Sequence, residues 1–166
     1  MRKRRRSEHG AAAVEFALVF PLLVIILVGT VTSGLSYSRA IGVTNAVREG
    51  ARFGATADAT QGTWAADVIA RTRESQFDDP SPYKTTVCVE LVKIGTGTTI
   101  GPTCSTGAAG AIASADYPAT PTGTAGTCVV KVVAKRPYKI EMVFFDLLSG
   151  NVTKGATARY ERGTTC

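Results

Sequence analysis

Charged side chains are absent from the 23 residues between Glu15 and Arg39. As an α-helix, the run Phe16 to Ser38 spans about 35 Å at roughly 1.5 Å per residue, enough to cross a hydrocarbon core of roughly 30 Å. A helix-compatible but polar stretch comes next, through Asn45, Val47, Glu49 and Arg52. Residues 11–56 are therefore expected to form one long helix, membrane-spanning to about residue 38 and kinked at Pro21, behind a short basic leader of residues 1–10. Asp58 to Thr63 has turn composition. Trp64, Val68, Ile69 and Thr72 then recur at helical spacing, which predicts a second helix over Trp64 to Phe77. The Asp-Pro-Ser-Pro segment from Asp79 to Pro82 should end it, because proline removes a donor and restricts its predecessor.

Beyond this point the period changes to two. Thr86 to Ile94 and Thr127 to Lys135 are expected strands, separated by a Gly-, Thr- and Ala-rich stretch from Gly95 to Gly126. A loop of that length is unusual in a compact domain, so it should be mobile or held by a disulfide. Lys139 to Leu148 suits a strand running into a turn, and Val152 to Glu161 alternates as a final strand. The expected fold class is α+β: a long transmembrane helix, then residues 57–166 as an extracytoplasmic domain whose small antiparallel sheet packs on the outer half of the helix, as in pilins.

Charge refines this picture. The chain carries a formal +6, but Arg2, Lys3, Arg4, Arg5 and Arg6 crowd into the leader. Residues 11–166 retain 14 basic and 12 acidic groups, net +2, without the basic face that a folded nucleic-acid binder needs; no nucleic-acid partner is expected. Basic residues beside a span are held on the cytoplasmic side. The amino terminus is therefore placed inside, and everything after Ser38 outside the cytoplasmic (inner) membrane. Cys88, Cys104, Cys128 and Cys166 all lie in the outer part, as expected of disulfides in an oxidising compartment. Four cysteines allow three pairings. If the strand at Thr86 lies antiparallel to that at Thr127, with the last strand beside the second, then Cys104, Cys128 and Cys166 gather at one end of the sheet and Cys88 at the other. On that register Cys104–Cys128 is the expected bond.

Metal and catalytic chemistry find little support. No cysteine pair has metal-ligand spacing, and the single histidine, His9, lies in the leader. A histidine-based triad outside the membrane is thereby excluded. No Gly-rich phosphate loop comes after a strand, and Asp78-Asp79 sits in a Pro-rich turn. A protein without enzymatic activity, cofactor or metal is expected.

The segment Gly10-Ala11-Ala12-Ala13-Val14-Glu15-Phe16, with five basic residues before it and the apolar run after it, carries the functional information. A glutamate one turn into a membrane helix is costly, about 2.5–3.5 kcal/mol at the bilayer centre and less near the helix end. Cleavage after Gly10 would create an amino group on Ala11, four residues before Glu15, able to pair with it in the same chain or a neighbour. The segment resembles a type IV prepilin signal. Together with Pro21 and the stretch Asn45-Ala46-Val47-Arg48-Glu49-Gly50-Ala51-Arg52, it resembles the TadE-like family of pseudopilins in tight-adherence (Flp) pilus systems; Val129 to Glu161 is similar more loosely. The resemblance implies a minor pilin-like subunit processed by a prepilin peptidase at Gly10 and Ala11. It also implies that Glu15 and Phe16 serve docking, and that the partners are other pilins or pseudopilins and the assembly platform. The alternative is a signal-anchored envelope adhesin or binding module that is never cleaved, since a basic head and an apolar run also make a signal anchor.

Gly34, Ser38, Gly42, Ala46, Gly50 and Gly54 are all small and lie four apart. Such rows let backbones approach closely. Two explanations stand: the chain's own sheet packs here, or a helix of another subunit does, and both can hold at different depths. Glu49 and Arg52, three apart, are expected to pair on a solvated helix face.

Overall fold

The computed structural model describes residues 5–76, 85–105, 107, 109–142 and 145–162. The leader residues 1–4, Phe77, the Asp78–Pro82 turn and Cys166 lie outside the described residues. Helix α1 (Arg5–Thr56) runs unbroken through Pro21, so the helix takes in Arg5 to Gly10, which the sequence pattern assigns to the leader. Helix α2 (Trp64–Glu74) comes after the expected turn. The strands are β1 (Thr86–Lys93), β2 (Gly97–Cys104), β3 (Cys128–Met142) and β4 (Phe145–Arg159). They form one antiparallel sheet in the order β2-β1-β3-β4.

The core lies between α1, α2 and one face of the sheet. Val43, Val47, Ala51 and Ala55 recur every four residues on α1. They meet Val87, Val89 and Leu91 of β1 and Val130, Val132 and Ala134 of β3, with Trp64 and Val68 of α2 closing the side. Burying one such valine or leucine contributes about 1.5–3 kcal/mol. Directed hydrogen bonds fix the corner where α1 ends. The Trp64 indole Nε1 donates to the Gly54 carbonyl at 3.0 Å. The Ala59 amide donates to the Tyr160 hydroxyl at 3.0 Å, and the Glu161 amide donates to the Ala55 carbonyl at 2.9 Å. The segment after β4 is thereby tied to the end of α1.

The stretch from Gly95 to Gly126 departs from expectation. Its first part doubles back as β2 through a turn in which Gly95 and Gly97 adopt φ of 94° and 101°, a region that favours glycine. Strand β2 thus returns along the edge of β1 opposite to β3 and brings Cys104 level with Cys88. The disulfide is Cys88–Cys104, not Cys104–Cys128. The expected pairing assumed that Cys104 stays near the start of β3, whereas Cys128 faces Lys93 at the far end of β1. The bond closes a sequence separation of 16, worth roughly 3 kcal/mol in the chain-entropy picture. None of the described cysteines is a free thiol.

The rest of the stretch forms a strap over the sheet face turned away from α1. It leaves β2 with the Ser105 amide on the Val87 carbonyl at 2.8 Å. The Thr86 hydroxyl donates to the Gly110 carbonyl, and Lys135 Nζ to that of Ala111, both at 2.9 Å. Pro118 sits so close to Gly155 of β4 that a Cβ there would lie 2.8 Å from its ring. Under the strap Cys88, Val92, Val129 and Val133 are buried. Glu90 and Lys131, directly opposed in the register, form an ion pair at 3.2 Å with side chains only 13% and 9% exposed. Burial, with the Glu90 carboxylate near it, pushes the Tyr117 hydroxyl above its ordinary pKa.

β3 and β4 are longer than expected and continue as a two-stranded hairpin past the last β1 partner, Thr86 opposite Lys135. This extension lies along α1. Arg136, Pro137, Tyr138 and Val152 line a narrow crevice with Ser36, Arg39, Ala40 and Val43.

The buried pair gives the first prediction. Lys131→Ala leaves the Glu90 carboxylate buried and unpaired, which is expected to cost about 3–5 kcal/mol. Replacing both, as Glu90→Leu with Lys131→Met, should recover most of that loss, read from the midpoints of urea unfolding.

Candidate functional site

The residues singled out for function lie along α1 and fall into three zones. In the first, Gly10 to Leu27, every residue is exposed. Nothing approaches within 4 Å of where a Gly10 side chain would begin. Ala11 and Glu15 share this open surface, and Phe16 is 64% exposed with its ring 5.4 Å from that of Phe20. Val14, Leu18, Leu22, Leu23 and Ile26 are likewise more than half exposed. A face this apolar has no place in water over such a length. The helix is long and apolar enough to cross a membrane.

The second zone holds Gly34, Ser38 and Gly42. A Cβ on either glycine would meet nothing within 4 Å, and Ser38 is exposed. The third zone holds Ala46, Gly50 and Gly54, all buried. A side chain on Gly50 would overlap the Thr72 hydroxyl of α2, which is committed to the Val68 carbonyl at 2.8 Å. One on Gly54 would stand 3.0 Å from Val68 and 3.1 Å from Val130. The row of six small residues therefore divides by depth: the domain of the same chain claims its outer three, and no described residue of the chain covers its inner three.

Glu49 borders the packed zone. It accepts from Arg52 Nε at 3.2 Å, the expected pair, and also from Arg71 of α2 at 3.2 Å, a partner that sequence spacing does not suggest. Hydrogen bonding from Arg71, with help from Arg52, holds its carboxyl below the usual glutamate range. A depressed pKa contributes stability that is present above the ordinary glutamate value and lost as pH falls through the lowered one. Because Glu49 is solvated, the effect is small. Of the cysteines, Cys88 and Cys104 form the disulfide, and Cys128 opens β3.

Residues 10–52 match the family model described as TadE-like protein. That segment is TadE-like. The match begins at Gly10, takes in Glu15 and the whole apolar run, and ends at Arg52, past most of the α1 residues that belong to the core. No curated protein and no solved structure matches the chain, so the sheet, strap and disulfide rest on the chain's own physics. A TadE-like segment and one amino-terminal helix long and apolar enough to cross a membrane fit a membrane-anchored protein.

The division of the small row gives a second prediction. Gly50→Ala should destabilise the domain by about 1–3 kcal/mol, because Thr72 must give way in a packed site. Gly34→Ala and Gly42→Ala should leave domain unfolding within about 0.5 kcal/mol of the parent. Thermal or urea unfolding monitored by Trp64 fluorescence checks both.

Proposed function

We propose that the protein is a minor pilin-like (pseudopilin) subunit that supports assembly or secretion by a Tad-type pilus. It is held in the inner membrane with its amino terminus in the cytoplasm and its sheet domain outside. The observation that carries this reading is the Gly10–Glu15–Phe16 arrangement at the start of a TadE-like segment. Its peptide bond and carboxylate lie on a helix surface that the rest of the described chain leaves open.

In this reading a prepilin peptidase cleaves between Gly10 and Ala11. Glycine suits the position because it lowers helix stability by about 1 kcal/mol relative to alanine, which eases local opening of the chain. The new amino group on Ala11 then lies one turn from Glu15. A carboxylate in the first turn also favours the helix dipole. An unpaired Glu15 in the apolar layer is costly, so a neighbouring subunit that offers an amino group gains both affinity and register. The protein acts through packing and recognition, without catalysis. Its partners are the peptidase, other pilins or pseudopilins, and the assembly platform.

Cleavage is checked by intact mass of the membrane-extracted protein. The parent is expected to begin at Ala11, and Gly10→Leu to retain the ten leader residues; equal masses would refute processing. Glu15→Ala is expected to stay membrane-inserted and folded while pilus assembly is lost, scored by electron microscopy of the cell surface. Normal piliation in that variant would remove Glu15 from the docking role.

A further inference from the structure

The uncharged run of α1 closes at Arg39. Its side chain is exposed, and no described residue pairs with it. Against the same turn of the helix, β3 brings Arg136, which lines one crevice with Arg39 and Ala40. Arg136 has a further interaction within the chain, and the five N–H donors of a guanidinium leave capacity for more. Lys154 lies on the same strand face as Val152, the residue opposite Arg136. No acidic residue occurs from Phe16 to Arg48, from Cys128 to Tyr138 or from Ser149 to Tyr160. Positive charge therefore collects where the apolar run ends.

Two arginines in one crevice repel each other, the more so beside a lipid boundary where the dielectric falls. An anion relieves that repulsion. Guanidinium forks match phosphate oxygens two at a time, and lipid phosphates form a layer just outside the hydrocarbon core. Tyr138 in the crevice, and Tyr37, 71% exposed two residues before Arg39, have the amphipathic rings favoured in that layer.

We propose that the Arg39–Arg136 crevice binds the phosphodiester of an anionic lipid in the leaflet at the Ser38 end of the span. At about 10 Å³ the crevice is too small to enclose a phosphate, so the headgroup lies across its mouth. Leu35 and Val31 stand four and eight residues before Arg39, on its face of the helix, and both are 56% exposed. They give the acyl chains a track leading away from the phosphate. That track favours a lipid over free phosphate, although both carry the same anion. The bound lipid ties the helix and the hairpin together at the membrane surface, which fixes the height of the domain.

The proposal rests on α1 as the span, and the experiment reads the two separately. Full-length protein is placed in nanodiscs of equimolar phosphatidylcholine and phosphatidylglycerol, and native mass spectrometry identifies the lipids that stay bound after ejection. The parent is expected to retain phosphatidylglycerol in preference. Arg39→Gln should cut that preference about fivefold, the effect of one cation at an anionic surface. Arg136→Gln should act alike, with thermal unfolding as the check on folding; because Arg39 is exposed, its variant decides the matter alone if Arg136→Gln unfolds. Arg48→Gln removes an equal charge from an exposed position about 14 Å further out. That exceeds a Debye length of about 10 Å at 0.1 M salt, so this variant should resemble the parent. Glu141 and Asp146 lie further along the hairpin; if they neutralised the arginines, the parent would show no preference, and the proposal would be wrong. It is equally wrong if Arg39→Gln leaves the preference unchanged, or if Arg48→Gln lowers it as much. If excess inorganic phosphate strips the retained lipid from the parent, the crevice takes free phosphate and the lipid assignment falls. Leu23→Trp, quenched by lipids brominated deep in the acyl chain while buried Trp64 is not, reports the span. Should Leu23→Trp escape quenching, the span reading fails instead.

Discussion

The close approach between the outer half of α1 and its own domain governs most of this structure. Val43, Val47, Ala51 and Ala55 form one row of the core. Gly50 and Gly54, on the adjoining row, let α2 and β3 come within van der Waals distance of the helix backbone. A helix of this length would be marginal as an isolated element in water past its lipid-embedded part. Packing supplies the stability that propensity does not, and in return the helix gives the sheet a rigid spine. The Trp64, Tyr160 and Glu161 hydrogen bonds around Gly54, Ala59 and Ala55 then lock the chain's corners onto the same helix end.

Two environments therefore share one helix. Its inner part is exposed and apolar, suited to a membrane, and its outer part is core. The TadE-like match covers the inner part and continues to Arg52, through Val43, Val47 and Ala51 of the core. The features on which the proposed function draws belong to the inner part: the glycine before Ala11, the glutamate one turn later and an uncovered small-residue surface. The domain can vary in its strap, edge strand and disulfide without disturbing them.

Much of the fold was legible in the chain because its periodicities are local. The apolar run, the turn after α1, the helix from Trp64 and the strands from Thr86 and near Thr127 are where the spacing puts them, and β1, β3 and β4 pair in the expected order. The departures have separate physical causes. Composition makes Gly95-Thr96-Gly97 part of a long loop, although a short glycine turn after an alternating strand is a hairpin signal. Without β2 the sheet lacks an edge, and Cys104 falls nearest Cys128; with it, Cys104 lies level with Cys88. The near-continuous apolar composition of β1 and β3 was itself a sign that both faces are covered; taken so, it would have demanded the strap and made Glu90 and Lys131 partners. The length of the β3–β4 hairpin was obscured by Pro137 and by two glycines in β4, each a strand-breaker out of context. Which members of the small-residue row face the domain depends on where the sheet docks, and no spacing along the chain reveals that.

The central claim is that residues 43–55 of α1 belong to the domain's cooperative unit, while the apolar run inward of Ser38 belongs to the membrane. Hydrogen–deuterium exchange of the full chain in a bilayer, across a urea series, tests it most directly. The account predicts that amides from Val43 to Ala55 lose protection together with those of β1 and β3, at one urea midpoint, while amides from Leu18 to Val31 stay protected throughout. If Val43 to Ala55 remain protected after the sheet has opened, the helix is an independent rod to which the domain is merely attached, and the account is wrong.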